Sequence, residues 1–206
     1  MSATGSTRKS AHKHPRPRGA ARREALLEAV LRIVAEVGAD AVTHRRVAEV
    51  ADLPLASTTY WFESKEQLLT AALELAAERD IARLQEFAAE PFDDSADPLE
   101  LAVAAILEPL DESLQASRGS LLATYLLLLE AARRPSLRAI AKEWTEAYLK
   151  LLGRLFKLAG SPDPVADGEL LLAAADGLLI EQLASGVGGD VAPKLRRLAN
   201  ALVARS

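Results

Sequence analysis

Three histidines, His12, His14 and His44, are the side chains best suited to acid–base or metal chemistry in this sequence. Their spacing defeats both uses. His12 and His14 lie in a basic N-terminal stretch and His44 stands at a helix start, so no triad and no metal pair can be assembled from them. Ser6-x-x-Lys9 and Ser10-x-x-Lys13 mimic serine–lysine pairs, but both fall among Ser, Thr, Gly and Pro residues that read as coil. The run Gly186–Gly189 superficially resembles a phosphate loop. It lacks a following Lys-Ser/Thr, comes after a helix and not a strand, and reads as a helix terminator. Asp176 and Glu130, isolated in apolar runs, read as partners of arginines and not as catalysts. With no cysteine there is no thiolate and no sulfur-ligated metal. The expectation is therefore no catalytic residue, no metal and no cofactor.

A different chemistry is concentrated in Val42–Leu69. Two short helical segments are separated by Asp52-Leu53-Pro54, the proportions of a helix-turn-helix. In such a unit the first helix crosses the DNA backbone and the second enters the major groove. The second segment, Leu55-Ala56-Ser57-Thr58-Thr59-Tyr60-Trp61, has small hydrogen-bonding residues and no acid to repel DNA. Hydroxyls can meet base edges or phosphates, and alanine or leucine can contact a thymine methyl. Of the aromatic run Tyr60-Trp61-Phe62, only Phe62 is assigned mainly to packing. His44, Arg45 and Arg46 put cations in a helical first turn, where the macrodipole disfavours them by a few tenths to about 1 kcal/mol. A phosphate docked on that helix end reverses the sign; pairing with Glu49 or Asp52 is the competing explanation. Lys65, opening the next helix, is a further phosphate candidate.

The elements that must position these residues are helical throughout. Leu26, Leu27, Val30, Ile33, Val34 and Val37 follow 3.6-residue spacing, with Glu28, Arg32 and Glu36 as an opposite stripe of i,i+4 pairs. Gly38 stops that helix, Thr43 caps the next, and Ser64 with Gln67 forms a capping box for a long helix ending near Ala89. Further helical stretches follow from Asp97, with a kink or break expected at Pro109, then over Ser120–Arg133, Ser136–Ala159, Asp163–Ser185 and from Pro193 onward. No strand alternation appears, so the expected class is all-α with about nine helices.

Composition bounds the setting. The chain has 206 residues, 50% hydrophobic and 26% charged, enough to bury a substantial core. The longest apolar runs fall short of the roughly 20 residues a membrane helix needs. With no apolar leader and no cysteine, the expectation is a cytoplasmic protein with no membrane partner. The net charge of −4 hides a basic leader: Arg8, Lys9, Lys13, Arg16, Arg18, Arg22 and Arg23 lie in residues 1–23 without one acid. Residues 1–18 read as a basic disordered arm, able to add sequence-independent phosphate attraction.

At Ala25–Leu69 the pattern becomes specific. Ala-Leu-Leu-Glu-Ala-Val, then Val-Gly-Ala-Asp-Ala-Val-Thr, Val-Ala-Glu-Val-Ala-Asp-Leu-Pro and Thr-Thr-Tyr-Trp-Phe-Glu-Ser-Lys-Glu-Gln-Leu-Leu together resemble the DNA-binding domain of TetR-family (tetracycline-repressor-like) transcriptional regulators. The resemblance implies a helix-turn-helix domain over 19–63 and a ligand-binding and dimerisation domain over 64–206. It also implies a homodimer on double-stranded, pseudo-palindromic operator DNA, acting as a repressor relieved by ligand. By matching position it puts Thr43, Trp61 and Lys65 on phosphates, with Arg45 and Arg46, and Ser57, Thr59 and Tyr60 near bases. Three positions depart from the pattern: Asp52 stands where a turn glycine is common, Pro54 where a serine cap is common, and Leu55 where a basic residue is common.

The C-terminal two-thirds resembles the family only in outline. Its larger side chains are Tyr125, Trp144, Tyr148 and Phe156, and Tyr125, Trp144 and Tyr148 are the candidates to line a pocket for a small apolar or aromatic ligand. The helix over 163–185 is too apolar to face water, and with the helix over 193–204 it is the candidate dimer interface. A small-molecule carrier bundle with no regulatory role on DNA is the alternative reading.

Overall fold

The computed structural model describes residues 17–89, 96–116, 118–186 and 190–204. Most of the basic arm, with His12, His14 and both serine–lysine pairs, lies outside them, as do Val187–Gly189 of the glycine turn. Among the described residues there are nine α-helices and no strand: α1 (Pro17–Val37), α2 (His44–Val50), α3 (Leu55–Trp61), α4 (Lys65–Ala89), α5 (Pro98–Ala116), α6 (Arg118–Ala131), α7 (Pro135–Leu158), α8 (Pro164–Ser185) and α9 (Val191–Val203), with one 3-10 turn at Ala39–Ala41.

Helix ends follow side-chain chemistry, and several differ from the expected ones for that reason. The expected arm runs to residue 18, but α1 is already helical at Pro17, whose fixed φ suits a first helical position. Asp190 accepts from the Ala192 amide, so α9 begins two residues before Pro193. Pro135 both ends α6 and opens α7. No break occurs at Pro109: α5 runs through it to Ala116.

Two apolar cores share α4 and α7. The first joins α1, α2, Phe62 and the first half of α4 to Ala123 and Leu127 of α6 and to Leu137 and Trp144 of α7. The second joins Leu84 of α4, α5, the second half of α7, α8 and α9. Helices α7 and α8 pack closely where Gly168 lies over Leu152 and Gly153; a Cβ there would come within 3.2 Å of Leu152 Cβ and 3.3 Å of the Gly153 nitrogen.

The charged stripe of α1 does not pair within its own helix. Glu24 and Glu28 are both bound by Arg79 of α4, and Arg32 donates to the Val50 carbonyl at 3.1 Å. Partners fixed by tertiary packing displace exposed i,i+4 pairs, which are individually weak. Val37, expected on the apolar stripe, is exposed at the end of α1.

Candidate nucleic-acid interface

The helix-turn-helix is built from locally satisfied backbone. Thr43 Oγ1 accepts from the Arg46 amide at 3.2 Å, capping α2. The turn requires a left-handed residue, and Asp52 supplies it at φ 52°. Aspartate reaches this region more readily than most residues, so the departure from glycine leaves the turn intact. Pro54 precedes α3 in the extended conformation and gives it no side-chain cap.

The seven residues of α3 and its C-cap Phe62 present an inner and an outer face. Thr58 and Phe62 are buried, and the Thr58 hydroxyl donates to the Leu55 carbonyl at 2.8 Å, so no polar group is left unpaired inside. Leu55, Ala56, Thr59 and Tyr60 are exposed, Tyr60 at 77%. Ser57 and Trp61 are half-buried. Trp61 meets the ring of Tyr60 edge-to-face at 5.0 Å and packs beneath Gly19 of α1. Phe62 is buried in the first core, as a packing residue should be, and the Arg23 guanidinium lies 5.7 Å from its ring. Leu55 and Ala56 thus extend the exposed face of Thr59 and Tyr60.

The cations are less free than their spacing suggests. Arg45 is bound to Glu49 at 2.9 Å on the exposed side of α2. Lys65 Nζ donates to the Asp40 carbonyl at 2.9 Å, with the Asp40 carboxylate at 3.6 Å. Arg46 is half-buried. Among the described residues the buried Nδ1 of His44 has no partner. Glu49, Asp52, Asp40 and Glu63 share this region with the cations, so the helix-turn-helix is not a strongly basic surface by itself.

The start of α4 is fixed to the rest of the protein. Ser64 Oγ accepts from the Gln67 amide, and Gln67 Oε1 reaches back to the Glu63 amide at 2.7 Å, one residue earlier than a standard capping box. Glu66 accepts from Ser136 and from Arg134, 2.8 Å away; Arg134 in turn binds Glu130, which also binds Arg133. Glu130 is therefore an arginine partner, as its sequence setting implied. Asp176 instead accepts from Tyr125 at 3.0 Å. It reaches solvent, yet desolvation of its carboxyl raises its pKa.

The aromatics of the C-terminal half are engaged. Trp144 Nε1 and the Tyr148 hydroxyl both donate to Asp80 Oδ2 at 2.7 Å, and Arg83 Nε donates to Asp80 Oδ1 at 3.0 Å. Burial pushes the Tyr148 and Tyr125 phenols well above their usual range. Asp80 and Arg83 carry no motif, and sequence reading missed them.

A family model described as "Tetracyclin repressor-like, C-terminal domain" matches residues 96–205. The chain belongs to the TetR family. Among solved structures, the multidrug binding protein EbrR complexed with ethidium is 34% identical (TM-score 0.66), the match covering 88% of this chain and 98% of that one. A TetR-family member from Streptomyces coelicolor A3 is 31% identical (TM-score 0.70) over 88% and 98%. A transcriptional regulator from Rhodococcus sp. Rha1, 24% identical with a TM-score of 0.71, shares the fold. No curated protein sequence matches. Among the described residues of this TetR-family regulator no helix is long and apolar enough to cross a membrane.

Proposed function

We propose that this TetR-family protein is a ligand-responsive repressor that binds a pseudo-palindromic operator as a homodimer. Residues 19–63 form the DNA-binding unit and 64–206 the sensing and dimerising unit. The observation that carries the reading is the exposed face of α3: Ala56, Thr59 and Tyr60 point outward from a helix whose inner Thr58 and C-cap Phe62 are buried, the Thr58 hydroxyl being satisfied. Small hydrogen-bonding side chains backed by a rigid frame suit base-edge contact in a major groove. Ser57, Thr59 and Tyr60 take the base contacts. Thr43, Arg45, Arg46, Trp61 and Lys65 take phosphates, Arg45 and Lys65 by exchanging Glu49 and Asp40 for DNA oxygens.

Dimerisation runs through α8, with α9 flanking it. Leu170, Ala173, Gly177 and Ile180 recur along one exposed side of α8, an apolar stripe that a second copy would cover. The inner side of α9 is already buried in its own chain through Leu195, Ala199 and Leu202. The ligand is a small apolar or aromatic molecule. EbrR has been solved with ethidium, proflavin and malachite green, which supports an aromatic ligand here as well. A ligand seated among Tyr125, Trp144 and Tyr148 must disturb the bonds that now hold them. Emptying an operator from 99:1 to 1:99 needs about 5.5 kcal/mol of preference for the released state. The test is a footprint on DNA flanking the gene itself, with sedimentation of the free protein. Two protected half-sites with centres about 34–36 Å apart, or a multiple of that, and a dimer at micromolar concentration are expected. A monomer, or protection of one isolated half-site, defeats the proposal.

A further inference from the structure

The end of α4, the outer side of α5 and the facing parts of α8 and α9 enclose an open groove of about 850 Å³. That volume is within the range of small-molecule sites. None of Tyr125, Trp144 and Tyr148 lines it. Its walls include Phe87, Leu101, Leu107, Leu179 and Val191. Among the described residues its charged groups are of one predominant sign, Asp97, Glu100, Glu108 and Asp190 against Arg196, with Gln182 neutral.

These carboxylates are not equivalent. Asp97 and Asp190 accept from the Leu99 and Ala192 amides at 2.9 Å and 3.0 Å and so serve the helix starts. Glu100 is bound by Arg196 Nε at 2.7 Å. Among the described residues Glu108 is bound by Arg83 of α4 at 3.1 Å, which does not line the groove, and its side chain remains 55% exposed. An anion entering this groove meets repulsion. A neutral apolar molecule takes water from carboxylates without replacing its hydrogen bonds, which is costly. A molecule with apolar flanks and one positive charge answers both features of the lining.

We propose that this groove binds a lipophilic organic cation and that Glu108 receives its charge. The inference rests on the ligand-responsive reading above and gives that ligand a chemical class. It also supplies a route to the helix that begins beside the DNA-binding unit. Arg83, the present partner of Glu108, donates as well to Asp80, to the Ala105 carbonyl at 3.1 Å and to the Tyr148 hydroxyl at 3.2 Å. A ligand cation at Glu108 competes with Arg83 for one carboxylate, and the released guanidinium redistributes its bonds along α4 and α7. A ligand that binds both arrangements equally shifts nothing, so this competition is where a differential affinity arises.

The experiment titrates the full-length protein, without DNA, with proflavin and with acridone, a neutral molecule of the same tricyclic shape. Binding of proflavin in preference to acridone is expected. Glu108→Gln should weaken proflavin about fivefold, the effect of one partly exposed charge pair, and leave acridone unchanged. Ala104 is exposed on the groove wall, so Ala104→Trp fills the space without disturbing the core, and it should abolish binding of proflavin. Glu143→Gln, on the exposed side of α7, should behave as wild type. Circular dichroism confirms that each variant is folded. Equal binding of acridone and proflavin, or undiminished proflavin binding by folded Ala104→Trp protein, overturns the proposal. Tetraphenylphosphonium, which does not intercalate, replaces proflavin in the operator assay. If another ligand releases the operator while neither cation binds the groove, the groove inference fails and the regulator reading stands. If the cations bind the groove and the operator is never released, the groove stands and the ligand-responsive reading fails.

Discussion

Asp80→Ala removes an acceptor shared by three side chains of α4 and α7. The Asp80 carboxylate is 13% exposed and accepts three hydrogen bonds, from Trp144 and Tyr148 on one oxygen and from Arg83 on the other. Removing it leaves an indole N–H, a phenol and a guanidinium without their shared acceptor. Loss of one partner of a buried pair costs about 3–5 kcal/mol, chiefly because the other charge is stranded. Here Arg83 is 22% exposed and keeps Glu108 and the Ala105 carbonyl, which places the expected loss near the lower end, about 3 kcal/mol. Asp80→Asn retains an acceptor but not the charge and should cost about half as much.

Urea unfolding followed by helical circular dichroism, at one protein concentration, measures this directly. With a slope of about 2–3 kcal/mol/M, the Asp80→Ala midpoint should fall by about 1–1.5 M. The double variant Asp80→Leu/Arg83→Met removes both charges together and should unfold later than Asp80→Ala alone, giving a coupling term in the double-mutant cycle. An Asp80→Ala midpoint equal to wild type, or a double variant as weak as the sum of the single ones, refutes the reasoning.

Arg134→Met should have a pH-dependent cost. Hydrogen bonds from Arg134 and Arg133 hold Glu130 below its ordinary value of 4.5, and the Ser136 hydroxyl chiefly, with Arg134, does the same for Glu66. A folded pKa below the unfolded one gives stability that is complete above the unfolded value and lost as pH falls through the folded one. The gap in urea midpoint between wild type and Arg134→Met should therefore be full at neutral pH and close below about pH 4.5; a gap that widens in acid contradicts it. Gly168→Ala should lower the thermal midpoint by the equivalent of about 1 kcal/mol, because the backbone of α7 at Gly153 must give way and overpacking outweighs the gain in helix propensity. An unchanged or raised midpoint shows that α7 and α8 separate freely. On DNA, Tyr60→Ala and Thr59→Ala should change base preference, by about 1–3 kcal/mol at the affected position, whereas Arg46→Ala should weaken all sequences alike and flatten the salt slope by about one unit. The opposite pattern inverts the assignment of bases and phosphates.

What the sequence made legible, and what it hid, follow from the range of the interactions. Thr43, Ser64 with Gln67, and the left-handed Asp52 act on backbone within a few residues, so spacing alone identifies them. Glu130 is read correctly for the same reason, its arginines being three and four residues away. Lys65 and Arg45 show the limit: both were readable as cations near DNA, but the Asp40 partner of Lys65 is 25 residues distant and depends on how the 3-10 turn packs against α4. Trp144 and Tyr148 are the clearest case. As aromatics in an apolar helical half they suggest a ligand pocket, since nothing within their own helix explains them. Their partner Asp80 is 64 and 68 residues earlier, on a helix whose acids and bases look like an ordinary solvated face. The same packing brings Arg83 to Glu108 and puts an acidic groove on the far side of α5. Local pattern specifies the helices and the helix-turn-helix; the C-terminal bundle is specified by which faces of α4, α5 and α7 meet, and only the assembled bundle carries that information.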